Sequence, residues 1–365
     1  MLLGVFSTVY IITLALQVFV PYIVRETIIF GVTVPEQNLK HSALRNMKKQ
    51  YAQFVGISGV LLLMMMIVCY YYFAQSEFMQ GILLLGCLFA MLAVSMTLYW
   101  KNHQKVLKLK KEEQWGLNIK QVRAVDLTAR SRDEMLPWPF YVIPFGVTVF
   151  LIIFTFRHYD QIPDHIAVHW GPSGEADSWR SKTYFTAVSL PLVMLMVQCM
   201  MWGTVDSIKR SAIKLAVNRK EESLEDQLKS RKYMSWSIML LSYGFTILFT
   251  VLQLSNIYPS IAEGNKLLPL FILYLVIILG SLLAYAWKKR QLRVKFEENI
   301  DSKVMDLDDD RFWKGGLIYM NKQDPSVFVE KRFGIGWTMN LANPRGYIVI
   351  GLPLIMILLI SIFAL

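Results

Sequence analysis

Eight uninterrupted apolar stretches govern what this chain can fold into: 2–23, 52–73, 81–100, 137–156, 183–205, 234–254, 267–287 and 346–364. None contains Asp, Glu, Lys, Arg or His. Each is close to the roughly 20 residues that a helix needs to cross hydrocarbon. Lipid offers no hydrogen-bond partners to an open backbone, so runs of this kind must close their own bonds as helices. With 55% of 365 residues hydrophobic and only 18% charged, one soluble globule of this size is excluded. The expected fold class is an all-α integral membrane protein of about eight transmembrane helices. A small extracytoplasmic strand-turn cap and a small cytoplasmic β-hairpin element complete it.

Charge placement sets the expected orientation. The loops 24–51, 101–136, 206–233 and 288–345 hold 34 of the 38 Lys and Arg; the alternate loops hold only Arg157, Arg180, Lys182 and Lys266. By the positive-inside rule the first set is cytoplasmic, which puts both termini outside a cell membrane. The uncharged start MLLGVFSTVY suits an outward-facing anchor and lacks the basic region of a signal peptide. The net charge of +11 is thereby explained by topology and by the bilayer as partner, and it calls for no nucleic acid. Cys69, Cys87 and Cys199 all fall inside spans, so no disulfide framework is implied.

The spans divide the chain into a three-helix region with basic inner loops (1–136), a helix-loop-helix module (137–205), two further helices (206–287), a hairpin-bearing segment (288–345) and a last helix (346–365). In the first inner loop IIFGVTV reads as a short strand or an interfacial segment. The second, KNHQKVLKLKKEEQWG, reads as a juxtamembrane helix or a surface-lying one. The third has acid-before-base spacing, Glu225 to Lys229, and reads as a solvated helix extending a span. In the fourth, GLIYM, NKQDP and SVFVEK read as strand, turn and strand. DLDDD before them lacks the Gly and Glu of a calcium loop, since Arg311 and Leu317 stand at those offsets, and reads as a solvated acidic turn. Lys331 and Arg332 at the end of that hairpin are candidates for contact with anionic lipid or a cytoplasmic partner. Gln17 and Gln198 lie within spans and are expected to bond between helices. Pro144 and Pro191 lie within spans as tolerated kinks or as openings for a pathway.

The compact polar knot IPDHIAVHWGPSGEADSW, 162–179, stands between two apolar runs. His165 and His169 are four apart, but Pro163 and Gly171-Pro172 leave only a short segment, and Ile166 and Val168 favour extension. In a strand the two histidines stand about 13 Å apart, at about 3.3 Å per residue, too far to share a metal with ligands at about 2 Å. No metal and no cofactor is expected. Two readings of the knot stay open. It is a folded cap over spans 4 and 5, or His169 and Asp177 form a recognition or proton-sensitive site at that mouth, joined across a Gly-rich turn. Trp170 and Trp179 suit the headgroup layer.

The stretch IPDHIAVHWGPSGEADSWRSK resembles the signature of an unnamed bacterial membrane module found in the SdpI type of toxin-immunity proteins. Pro163, His169, Trp170, Gly174, Asp177 and Lys182 match its pattern. Ala167 stands where the module often has a second Pro, and Gly171 where it often has Asn. The tail GLIYMNKQDPSVFVEKRFGIGWTMNLANP resembles a second unnamed module that accompanies the first in Gram-positive relatives. The resemblance implies protection of a cell from a secreted peptide, or sequestration of a membrane-recruited regulator. It makes His169, Asp177, Trp170, Gly174 and Lys182 the candidate recognition residues.

No nucleophile beside a base, phosphate-binding Gly loop or HExxH helix is present. No catalytic residue is therefore assigned, and the chain is expected not to be an enzyme. A sensing or immunity protein is the leading expectation. The alternative is a small-solute or ion transporter, which would show interrupted helices around a wet cavity.

Overall fold

The computed structural model describes the chain except residues 1, 74–75, 118–119, 123–128, 172–173, 214, 219, 264–265, 295–303, 307 and 365. Each apolar run has become a helix: α1 (Leu2–Ile23), α2 (Ser42–Phe73), α3 (Glu77–Glu112), α4 (Pro139–Arg157), α5 (Tyr184–Arg210), α6 (Lys220–Ile257) and α7 (Leu268–Val294). The last span is a composite of the turn α8 (Pro344–Gly346), a π-helical stretch (Tyr347–Gly351) and α9 (Leu352–Ala364). Eight helices among the described residues are long and apolar enough to cross a membrane. α1, α2 and α3 pack together; α4, α5, α6, α7 and α9 form a second group, and α1 touches α7.

Several helices outrun their apolar stretches at the basic end of the bundle. α3 continues to Glu112, so the second basic loop extends a span instead of lying on the membrane surface. α6 starts at Lys220, where Glu221 and Glu222 occupy its first turn, a favourable place for acids at a helix N-terminus. Glu225 pairs with Lys229 on its exposed face.

Polar groups inside the spans hold helices to one another. Ser95 of α3 bonds to Tyr51 of α2 (2.7 Å) and donates to Gln17 of α1 (2.8 Å). Gln198 of α5 accepts from Thr148 of α4 (2.8 Å) and donates to Thr246 of α6 (2.9 Å). The two mid-span prolines are accommodated by the same device. A proline has no N–H for the carbonyl four residues earlier. Pro144 thus releases Phe140 O, which accepts from the Tyr243 hydroxyl (2.9 Å). Pro191 releases Ala187 O, which accepts from Gln253 Nε2 (2.8 Å). Both donors come from α6, which thereby replaces bonds that its neighbours cannot make.

The strands are short and occur in pairs. β1 (Ile28–Ile29) and β2 (Val32–Thr33) form a tight antiparallel hairpin. Its turn residues Phe30 and Gly31 have φ of 45° and 77°, the signature of a type I′ turn. β3 (Lys120–Val122) pairs in parallel with β6 (Val304–Asp306). β4 (His165–Trp170) pairs with β5 (Ala176–Ser181), β7 (Trp313–Lys314) with β8 (Ile318–Tyr319), and β9 (Phe328–Glu330) with β10 (Trp337–Met339), all antiparallel.

The hairpin-bearing element at 308–340 is present, but GLIYM and SVFVEK do not pair with each other. GLIYM folds back on Trp313–Lys314, because Gly315 and Gly316, at φ of 59° and 70°, supply the tight turn. The segment NKQDP is a link rather than a reversal. The fully buried Asn340 side chain shapes it, donating to the carbonyls of Asn321 (2.9 Å) and Asp324 (3.1 Å).

This element docks on the first basic loop. Tyr99 of α3 donates to Gly315 O (2.8 Å), and His103 lies 2.7 Å from Phe30 O. A Cβ on Gly31 would come within 2.7 Å of Gly316 Cα, so the two turns touch only because neither carries a side chain.

Candidate functional site

The candidate site is the β4–β5 hairpin at the opposite end of the bundle from 308–340. α4 ends at Arg157, and its capping residue His158 bonds through Nδ1 to Phe154 O (2.9 Å). A turn over Tyr159–Gln161 and the extended Ile162 then feed β4, a strand as Ile166 and Val168 require. Thr183 caps α5 by accepting from Thr186 N (3.0 Å).

One face of the hairpin is fixed to the bundle. On that face Ile166 is buried and packs with Ile162, Ala187 and Ile257; the neighbouring Ala167, paired with Trp179, is buried as well. Asn256, near the end of α6, clasps Ala167 from both sides: its Oδ1 accepts from Ala167 N (3.2 Å) and its Nδ2 donates to Ala167 O (3.1 Å). An Asn side chain thus takes the position of a third strand. The sequence signal for it is a polar residue at the end of an apolar run, which by itself names no partner.

The other face is open. His165, His169, Asp177 and Trp179 are exposed on it. The ladder shifts register between Ala167 and His169 and again between His169 and Trp170, and such bulges re-aim side chains. His169 lies opposite Ser178, yet its Nδ1 sits 2.5 Å from Oδ1 of Asp177. The pair remains 68% and 50% exposed. Even a fully charged pair so open contributes only about 0–1 kcal/mol to stability, so the fold has little need of this contact.

The other expected recognition residues lie around this pair in different roles. Trp170 packs toward the Leu248, Leu252 and Leu267 cluster, and its buried indole N–H has no hydrogen-bond partner among the described residues. Gly174 has φ of 84°, and a Cβ there would stand 3.1 Å from Leu268 N. It seats the turn against the start of α7. Pro172 and Ser173 of the turn lie outside the described residues. Lys182 is at the far end of the hairpin, where its ammonium donates to Ile162 O (2.7 Å) and lies 4.7 Å from the Tyr159 ring centroid. It closes the base of the loop and does not reach His169.

At the basic end, the two residues expected to touch lipid or a partner separate. Lys331 is exposed. Arg332 is buried, which corrects the expectation for it. Its guanidinium pairs with Asp309 and Asp310 and donates to Gly31 O (2.8 Å) and Thr33 Oγ1 (3.0 Å). The acidic run expected to be solvated is therefore a set of partners: Lys110 also reaches Asp308 (2.5 Å) and Asp310 (2.7 Å). Burial opposes ionisation of Asp310, but the Arg332 and Lys110 charges outweigh it and hold its carboxyl below the ordinary range.

Fold and site together define a multi-pass membrane-type helix protein with two hairpin-bearing modules, one at each end of the bundle. A family model described as a domain of unknown function (DUF1648) matches residues 146–195, taking in most of α4, the β4–β5 hairpin and the first part of α5. A second, described as a family of unknown function (DUF5808), matches 322–347, from the link after β8 to the start of the last helix. No curated protein and no solved structure matches the chain.

Proposed function

We propose that this is a non-enzymatic protein of the cell membrane that senses, or confers immunity to, a membrane-active peptide through the open face of the β4–β5 hairpin. The observation that carries the reading is the His169–Asp177 pair. It is exposed, of little value to stability, and mounted on a strand that Asn256 and Ile166 hold to the bundle. The naming of immunity rests on the resemblance of 162–182 to the SdpI-type module. In this reading the hairpin and both termini face outward and the 308–340 element faces the cytoplasm, in keeping with the bias of basic residues.

Exposure supports the non-enzymatic reading: His165, His169 and Asp177 of the hairpin lie open on a surface. Transport is the weaker reading. The proline-interrupted helices α4 and α5 do meet, but the carbonyls they release are taken by Tyr243 and Gln253.

The test replaces the gene in its host by His169→Ala and challenges cells with a panel of membrane-active peptides, scoring survival per folded molecule. Loss of protection at unchanged membrane abundance is expected, with a smaller effect from His165→Ala. Full protection by His169→Ala removes this residue from the site. If deletion of the whole gene changes no sensitivity, immunity itself is wrong.

A further inference from the structure

A second place in the molecule, at the basic end and independent of the hairpin reading, combines an apolar and a polar half. The apolar half is a groove of about 480 Å³ between α1 and α7, lined by Ala15, Leu16, Phe19, Tyr22, Leu283 and Trp287 among others. It opens at the level of the spans, where acyl chains lie. The polar half is a cavity of about 60 Å³ whose wall includes Arg25, Trp313, Glu330, Lys331 and Trp337. That volume is several times the roughly 10–15 Å³ that one water needs by the same kind of measure.

The two halves are neighbours along the chain. Tyr22 and Ile23 of the groove lead directly into Arg25 of the cavity. Ala286 and Trp287 of the groove precede Lys289, whose ammonium pairs with Glu330 of the cavity. Three helical residues advance only about 4–5 Å along an axis.

The polar half is supplied with donors. The indole N–H groups of Trp313 and Trp337 are both buried and have no hydrogen-bond partner among the described residues. Lys331 has no ion-pair partner among them. The carboxylates in the wall are engaged already: Glu330 with Lys289 and Arg25, and Asp309 with Arg332. Buried N–H groups in native proteins nearly always have an acceptor, and the acceptor that complements two indoles and an ammonium is an anion.

We propose that the α1/α7 groove and the Trp313–Trp337–Lys331 cavity form one binding site for an anionic glycerophospholipid. An acyl chain lies in the groove, and the phosphate accepts from the two indoles and Lys331. The site is selective for headgroup charge, because the cavity offers cations and donors and no unengaged carboxylate to a headgroup amine.

The test is thermal unfolding of the delipidated full chain in detergent, titrated separately with phosphatidylglycerol, phosphatidylcholine and glycerol 3-phosphate. Saturable stabilisation by phosphatidylglycerol alone is expected. Lys331→Gln should weaken that binding roughly fivefold, the effect of one basic residue near an anionic surface. Leu283→Trp, which fills the groove from its exposed rim, should weaken it too. Equal stabilisation by phosphatidylcholine means ordinary annular lipid, and equal stabilisation by glycerol 3-phosphate means a free-anion site; either overturns the proposal. So does wild-type phosphatidylglycerol binding by Lys331→Gln or by a folded Leu283→Trp. If Leu283→Trp does not fold, Lys331→Gln decides, since Lys331 is exposed and has no ion-pair partner among the described residues.

Discussion

Arg332→Met is the substitution that the ion-pair network at the basic end judges most severely. The native guanidinium side chain is 5% exposed, and its two carboxylate partners are 23% and 21% exposed. Removing one partner of a buried pair costs about 3–5 kcal/mol, mainly because the remaining charge stays desolvated. Asp310 keeps Lys110 at 2.7 Å, so the expected loss lies at the lower end, about 3 kcal/mol. Asp309 loses its guanidinium partner, and Asp309→Asn in the Arg332→Met background should restore about 1–2 kcal/mol, a usual coupling for residues in one network. The assay is chemical unfolding of the full chain in detergent, for both singles and the double variant. An acid titration supplies a second readout. The Asp310 carboxyl titrates lower folded than unfolded. Its contribution is thus complete above the unfolded value near about 4 and disappears as pH falls through the folded value. Arg332→Met removes one of the charges that lower it, so the acid-dependent loss of stability should be smaller and should be complete at a higher pH. An Arg332→Met cost under about 1 kcal/mol, or a double variant as unstable as the two singles summed, would refute the reasoning.

Three further outcomes are expected. Asn256→Ala should cost about 1–3 kcal/mol by leaving the buried Ala167 amide and carbonyl without their side-chain partner; amide exchange at β4 should accelerate while β9–β10 is unchanged. Gln253→Leu should cost about 1 kcal/mol in detergent unfolding. Adding Pro191→Ala should return most of that, because residue 191 then offers its own N–H to Ala187 O; no recovery would separate Gln253 from the proline-released carbonyl. Finally, a membrane-impermeant maleimide applied to intact cells should label Glu175→Cys and spare Lys322→Cys; the reverse pattern would invert the proposed orientation.

The spans were legible because an uncharged run of some twenty residues has few alternatives to a helix. The β4 strand was legible from Pro163 with Ile166 and Val168, and the Gly171–Gly174 turn placed Asp177 within reach of His169. What escaped were non-local choices. Nothing adjacent to Arg332 in sequence distinguishes a lipid-facing guanidinium from one buried under Thr33 and Asp310. GLIYM and SVFVEK had the right strand character, but Gly315–Gly316 on one side and Asn340 on the other redirected their pairing. Pro144 and Pro191 announced carbonyls in need of donors, and only the packing of α6 shows that Tyr243 and Gln253 supply them.

The contact between Arg332 and Gly31 joins residues 301 apart in sequence, and this imposes a timetable on biogenesis. Synthesis proceeds at about 5–20 residues per second. The Phe30–Gly31 turn therefore waits about 15–60 s after its own translation before the guanidinium that covers it emerges. Throughout that interval Thr33 and the aromatic cluster of Phe30, Tyr51 and Tyr99 stand without the covering segment that includes Phe333. Ribosome stalling or truncation between the end of α7 and residue 332 would leave a chain that has its first seven spans but whose earliest hairpin is still open. Such a chain would be a ready substrate for membrane proteases, so quality control could distinguish finished from unfinished copies at the first loop rather than at the last.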